Sequence, residues 1–342
     1  MVILEVAGMT IQITIIGLGQ IGASIGMALA ERKDSIERVG HDRDPGVAKQ
    51  ALKLGVVDRI EYNLPRSVQK ADVVLLTIPV DQIRETLEII ALDLKEGSVV
   101  LDTAPVKDAV AVSAAELIPE ERHYVGLVPV INPKYLHETT AGLAAAHTDL
   151  FQDGLMAIVA PPGAASEAVK LAADLARLVG ATPMFFDRIE LDSLMAATHL
   201  LPLLMSAAVL GSTVDQPGWI EARKVAGRAF AEVTGPFQHL RSPEALASAV
   251  LDDRANILRV LDGVIARLQE VRDDIDKGDK AALLAGIQRA RAGRELWWKQ
   301  RSQANWSAEE LQPATEMPSS SAIFGRLIGF GRKRKPSDRG EG

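Results

Sequence analysis

A short β-branched run closed by three spaced glycines constrains this chain more than any other feature. Ile11–Ile16 reads IQITII and runs into Gly17, Leu18, Gly19, Gln20, Ile21 and Gly22, a G-x-G-x-x-G spacing. A continuous apolar run of this length favours a strand buried on both faces. Residues 22–32 are Ala-rich and helical in composition. In a strand–turn–helix context each glycine has a task. Gly17 permits a tight turn, Gly19 lets a pyrophosphate approach the backbone, and Gly22 lets the helix close on the strand. The free amides and positive dipole end of the helix suit that anion. Asp42 follows Gly22 by 20 residues, at the end of a second short strand at 38–41. A carboxylate there meets the adenine-ribose hydroxyls. These residues predict a dinucleotide site. Asp42 repels a 2′-phosphate and points to NAD. Arg43, directly after it, could accept that phosphate and keeps NADP open.

Further strands are expected at 72–78, 98–102, 124–128, 157–160 and 182–186. Helices are expected at 45–54, 81–94, 109–117 and 167–178, the first with Asp44 as N-cap and Pro45 at its first position. Apolar strands alternating with helices mean an α/β fold, a parallel Rossmann-type sheet covered on both faces. After about residue 188 the pattern turns helical, over 190–212, 219–233, 243–276 and 279–300. The expected organisation is a dinucleotide-binding domain at 11–188, an all-α domain at 189–300 and a disordered basic tail at 301–342. Within the tail, the apolar stretch 322–330 adjoins the basic run 332–335. It reads either as a weak membrane- or partner-docking segment or as a tail that docks on the protein itself.

The chain has no cysteine, which excludes disulfides, Cys-ligated metal and thiolate catalysis. No His/Asp/Glu cluster has metal-ligand spacing, so no metal is expected. A net charge of −7 argues against nucleic acid as a partner. No apolar run reaches the ~20 residues of a membrane span, and residues 1–10 lack the features of a signal peptide. A cytoplasmic location without firm membrane association is expected, with Met9 as an alternative start.

Several blocks then resemble the prephenate/arogenate dehydrogenase family of tyrosine biosynthesis. They are the glycine turn, Ile78-Pro79-Val80, the DTAPVK block from Asp102 to Lys107, and Thr198-His199-Leu200. The AGRAFAEVT block at 226–234 and Ser242-Pro243-Glu244 follow in family order. The resemblance implies an N-terminal Rossmann domain and a helical substrate and dimerisation domain that forms a homodimer. It implies hydride transfer from a small carboxylic acid to NAD(P), with loss of a ring carboxylate as CO2. It adds Ile78, Pro79 and Asp102 to the cofactor residues, and Lys107 and His199 to the catalytic candidates.

This chain departs from the family pattern at four polar places. Pro105 stands where the family carries Ser in its D-x-x-S-x-K block, and Val128 where it carries His. Leu201-Pro202 follows His199 without the signature's second His, and Gly235 stands where an Arg follows Thr. Asn132, four residues after Val128, is the candidate replacement donor. His239, Arg223 and Arg228 are weaker candidates for a rebuilt anion site. Two other readings stand beside the dehydrogenase. One is a dinucleotide-binding paralogue with a sensor or regulatory role, and the other a reductase of a different C=O or C=N substrate.

Overall fold

Residues 10–240 and 242–303 are described by a computed structural model; of the tail expected over 301–342, residues 304–342 lie outside them, while Arg301 and Ser302 belong to the last helix. The sheet has eight strands in the order β3-β2-β1-β4-β5-β6-β7-β8. They are β1 (Ile11–Ile16), β2 (Ile36–His41), β3 (Arg59–Ile60), β4 (Val73–Leu76), β5 (Val99–Asp102), β6 (His123–Val130), β7 (Leu155–Val159) and β8 (Thr182–Phe185). The first six pair in parallel in the doubly wound order 3-2-1-4-5-6. The expectation of a parallel sheet fails at one junction, since β7 runs antiparallel to β6. The β6–β7 connection at 131–154 contains no crossover helix, so the chain returns on the same face and reverses direction. β3 is only two residues long, too short to leave a periodic signal.

Side-chain alternation explains why the central strands are apolar throughout. Ile13, Ile15, Leu75 and Leu101 face one core, with α1 (Gln20–Ala28), α2 (Pro45–Lys53) and α6 (Ser166–Leu178). Ile16, Val74, Leu76 and Val100 face the other. That side is covered by α3 (Leu64–Val68), α4 (Ile83–Ile90) and α5 (Asp108–Leu117). Asp44 caps α2 as expected, accepting from Gly46 N–H at 2.7 Å.

Helices take over at Arg188. α7 (Arg188–Met195), a π-turn (Ala196–Leu200) and α8 (Leu201–Thr213) form one continuous rod. It is followed by α9 (Trp219–Val225), α10 (Arg228–Thr234), α11 (Pro236–His239), α12 (Pro243–Asp252), α13 (Arg254–Lys277) and α14 (Lys280–Ser302). The helix expected over 219–233 is interrupted at Ala226-Gly227, and the one expected over 243–276 at Asp253. Gly278, at φ +66°, ends α13 in the left-handed region that glycine tolerates. Helices and sheet pack within one compact unit. Leu191 packs on Val128, Ala157 and Val159, and Ala196 and Leu200 pack on Val106, Ala249 and Ile257.

One sequence expectation needs correcting here. The 26-residue run Arg188–Thr213 is long and apolar enough to cross a membrane by length and composition. Thr198, His199 and Ser206 interrupt the run when letters are counted, but the π-turn joins both halves into one helix. Its first turns are fixed to the N-terminus of α5 by a buried carboxylate, Asp192. Much of its remaining apolar surface is uncovered in the single chain: 17% of its most apolar stretch is buried.

Candidate active site

The glycine turn sits where the strand order reverses, between β1 and β4, the position at which open parallel sheets bind ligands. Gly17 has φ +93°, and a Cβ there would lie 2.6 Å from the Thr77 carbonyl oxygen. A Cβ on Gly22 would lie 2.1 Å from the Gly17 carbonyl oxygen and 2.4 Å from Thr77 Oγ1. Gly19 differs, with nothing within 4 Å of its Cβ position. Two glycines are therefore required by packing, while the third faces open space. That is the arrangement a pyrophosphate over the first turn of α1 requires, so these residues fit a dinucleotide.

Two side chains brace the turn. Thr77 Oγ1 donates to the Gly17 carbonyl at 2.5 Å. Asp42 Oδ2 accepts from Leu18 N–H at 2.8 Å, and its Oδ1 accepts from Asp44 N–H at 2.9 Å. Asp42, the residue expected to meet a ribose, is thus part of the turn itself. Gln20 and Ile21 belong to the first turn of α1, Arg43 is exposed beside Asp42, and Ile78 and Pro79 are half-buried just past β4. Sequence reasoning missed Thr77; its signal was a lone hydroxyl at the end of an apolar strand.

The ends of β5 and β6 hold a buried polar triad. Asp102 and Lys107 have no exposed surface, and Lys107 Nζ meets Asp102 Oδ1 at 2.6 Å. Tyr124 donates its hydroxyl to Asp102 Oδ2 at 2.7 Å. Ala104 N–H donates to Asp102 Oδ1 at 2.9 Å. A Cβ on Gly126 would strike Lys107 Cδ at 2.7 Å, so glycine there makes room for the lysine stem. Burial pushes the Lys107 ammonium pKa down, opposed by Asp102, and pushes the Tyr124 phenol well up. Asp102 and Lys107 lie together, but enclosed behind the strand ends rather than open to the dinucleotide face.

His199 lies in the π-turn, a widened helical turn found often at functional sites. Leu191 and Met195 on the same rod pack over Val128, which lies two residues past the level of Asp102 in the sheet register. His199 follows Met195 by four residues and lies in the turn between the buried Ala196 and Leu200. Its side chain is exposed in the single chain, with protein atoms crowded on its other side. Burial on that side pushes its imidazole pKa below the ordinary value. Val128 is 5% exposed and sealed in an apolar cluster, so no polar group replaces the missing histidine at that point.

Asn132 lies just beyond β6. Its Oδ1 accepts from Lys134 N–H at 2.9 Å, which leaves its amide NH2 as the available donor. The other anion candidates do not gather here. Arg228 is 91% exposed and paired with Glu232, and Arg223 and His239 are exposed. His147 stacks on Tyr135, and its backbone N–H donates to Ser24 Oγ of α1 at 3.0 Å. Two surface pockets of about 400 and 380 Å³ lie elsewhere, one lined by Glu37, Arg59 and Glu61, the other by Trp219 and Phe230. Among the described residues no His/Cys/Asp/Glu group could hold a metal ion.

Comparison with known proteins places these features in a lineage. A family described as "Prephenate dehydrogenase, nucleotide-binding domain" matches residues 25–184, beginning just past the glycine turn. A cyclohexadienyl dehydrogenase of Zymomonas mobilis is 24% identical over 286 residues, 82% of this chain and 94% of the relative. A prephenate dehydrogenase of Bacillus subtilis is 24% identical over 285 residues, 83% of this chain and 75% of the relative. Among solved structures, the prephenate dehydrogenase of A. aeolicus in complex with hydroxyphenyl propionate and NAD+ superposes with a TM-score of 0.75. It is 18% identical and covers 85% of this chain and 99% of that one, a likeness of fold.

Proposed function

We propose that this chain is a member of the prephenate dehydrogenase family, which it resembles over most of its length, and that it is an NAD-dependent dehydrogenase of a small cyclohexadienyl carboxylic acid. The observation that carries the reading is the glycine turn at the β1/β4 reversal, hemmed in at Gly17 and Gly22 and open at Gly19. When bound, the nicotinamide would supply the hydride acceptor. The chain's own residues would bind, orient and polarise. The α1 amides and Gly19 would hold the pyrophosphate, and Asp42 the adenine ribose. A carboxylate at that place would favour NAD over NADP.

His199 would hydrogen-bond the ring hydroxyl of the substrate. Hydride leaves the carbon that bears this hydroxyl. The electron pair of the breaking C–CO2 bond enters the ring, which becomes aromatic. The Asn132 amide would donate to a substrate oxygen, and Lys107 would act from behind the strand ends by fixing Asp102 and Tyr124. With Val128 and Pro105 in place of polar residues, the pocket relies on fewer donors than the family pattern provides. Turnover is accordingly expected to be slower, by the 10²–10⁴-fold that loss of one general acid or base typically costs.

The uncovered apolar surface supports a homodimer, as the family resemblance implies. On α13, Ile257, Leu261, Val264, Leu268, Val271 and Ile275 recur at alternating spacings of four and three, the periodicity of a helix-packing seam. Leu268 and Ile275 are 56% and 62% exposed in the single chain. A cytoplasmic location belongs to the same proposal. The test is reduction of NAD and of NADP by purified protein with prephenate and with arogenate. NAD reduction with CO2 release supports the reading. Tight NAD binding without turnover of either acid refutes it and favours a dinucleotide sensor.

A further inference from the structure

The N-terminus of α5 is capped from outside its own neighbourhood. Its cap position, Lys107, makes no side-chain cap hydrogen bond. Asp192 of α7, 85 residues away, supplies the acceptors instead. Asp192 Oδ1 accepts from Lys107 N–H at 2.6 Å and Oδ2 from Asp108 N–H at 2.9 Å. Asp192 is 3% exposed. Lys107 sends its side chain the other way, to Asp102, so one residue joins helix and sheet through its two ends. A second contact reinforces the joint, with Arg188 Nε 2.7 Å from Asp108 Oδ1.

A local Ser, Thr or Asp would cap α5 with less entropy lost. A cap drawn from a distant helix instead fixes that helix in register. The helix it fixes carries His199 seven residues further on, with Met195 over Val128 between them. We propose that Asp192 is a positioning residue: its two-amide clamp on α5 sets where the His199 imidazole stands relative to the C-terminal edge of the sheet. This rests on the reading of His199 as the polar group at the reacting centre. Burial raises the Asp192 pKa and the two amides oppose the rise; Asp108, Asp253, Arg188 and Lys107 are the charges around it.

The experiment is a double-mutant cycle on the full chain. Asp192→Asn keeps one acceptor of two. It should lower kcat at least tenfold while NAD affinity stays within twofold of wild type. In a His199→Ala background the same substitution should cost less than a further twofold. Losses that multiply independently would overturn the proposal. An activity-free readout separates it from the functional reading: the His199 imidazole pKa, measured by NMR, should rise toward the ordinary value in Asp192→Asn, and an unchanged value overturns the proposal. Should that variant not fold, Arg188→Ala leaves the buried clamp in place and should move both readouts the same way by less. Hydrogen exchange of wild type adds a direct check, because Lys107 and Asp108 amides exchanging at unprotected rates would refute the clamp.

Discussion

Exchanging single glycines in the turn should separate folding from binding. A methyl on Gly22 would have to lie 2.1 Å from a carbonyl oxygen and 2.4 Å from a threonine hydroxyl. Real carbon–oxygen contacts need about 1 Å more, and the nearest obstacle is backbone of the same turn. Overpacking costs typically 1–3 kcal/mol, and rigid neighbours put Gly22→Ala near the upper end, at about 3 kcal/mol. For a unit of this size that is a melting-point drop of roughly 5 °C. Gly19 has no neighbour within 4 Å of its Cβ position and its φ is −76°. Gly19→Val should cost only what a poorer helix cap costs, below about 1 kcal/mol, while its branches fill the space over the α1 amides. NAD affinity should fall at least 100-fold. Calorimetry of both variants, in melting and in NAD titration, reads the two effects. Wild-type NAD affinity in Gly19→Val would refute the cofactor site, and a wild-type melting point in Gly22→Ala would refute the packing argument.

Three further outcomes are expected. Burial holds the His199 pKa below its ordinary value, so the neutral, proton-accepting form persists to lower pH; the acid limb of kcat/KM should fall below the ~6.5 of a free imidazole, and a limb at or above pH 7 contradicts this. Lys107→Met leaves the buried Asp102 carboxylate without its cation, a loss of about 3–5 kcal/mol by analogy with other broken buried pairs; denaturant melts measure it, and a change within ~0.5 kcal/mol would show the pair to be dispensable. Leu268→Glu places a charge on the exposed α13 seam; sedimentation velocity should show dimer giving way to monomer, and an unshifted dimer removes the seam from the interface.

The half of the fold built from apolar strands was legible because burial on both faces leaves little freedom in composition. The strand, turn and helix that carry Gly17, Gly19, Gly22 and Asp42 were legible because the spacing of these residues follows from that local order. The reversal at β7 was not legible, since direction depends on whether a connection crosses the sheet, and the 131–154 segment carries no periodic signal either way. Asp192 was invisible for another reason. Its partners are amides 84 and 85 residues away, and a backbone donor has no letter in the sequence. Lys107 and Asp102 were found as motif letters, but only the coordinates place them behind the strand ends. Val128 read as the loss of a polar group; its packing under Leu191 adds that the vacated place is filled with hydrocarbon.

The bracing of the glycine turn by Asp42 bears on coenzyme engineering. The carboxylate poised to read a ribose is also the splint that holds Leu18 and Asp44. Exchanging it for a neutral side chain to admit a phosphorylated ribose would strand the Leu18 amide and loosen the loop proposed to hold the diphosphate. On the proposed reading preference and grip are one variable, and a change of coenzyme would begin at the neighbouring guanidinium of Arg43, with the acid left in place.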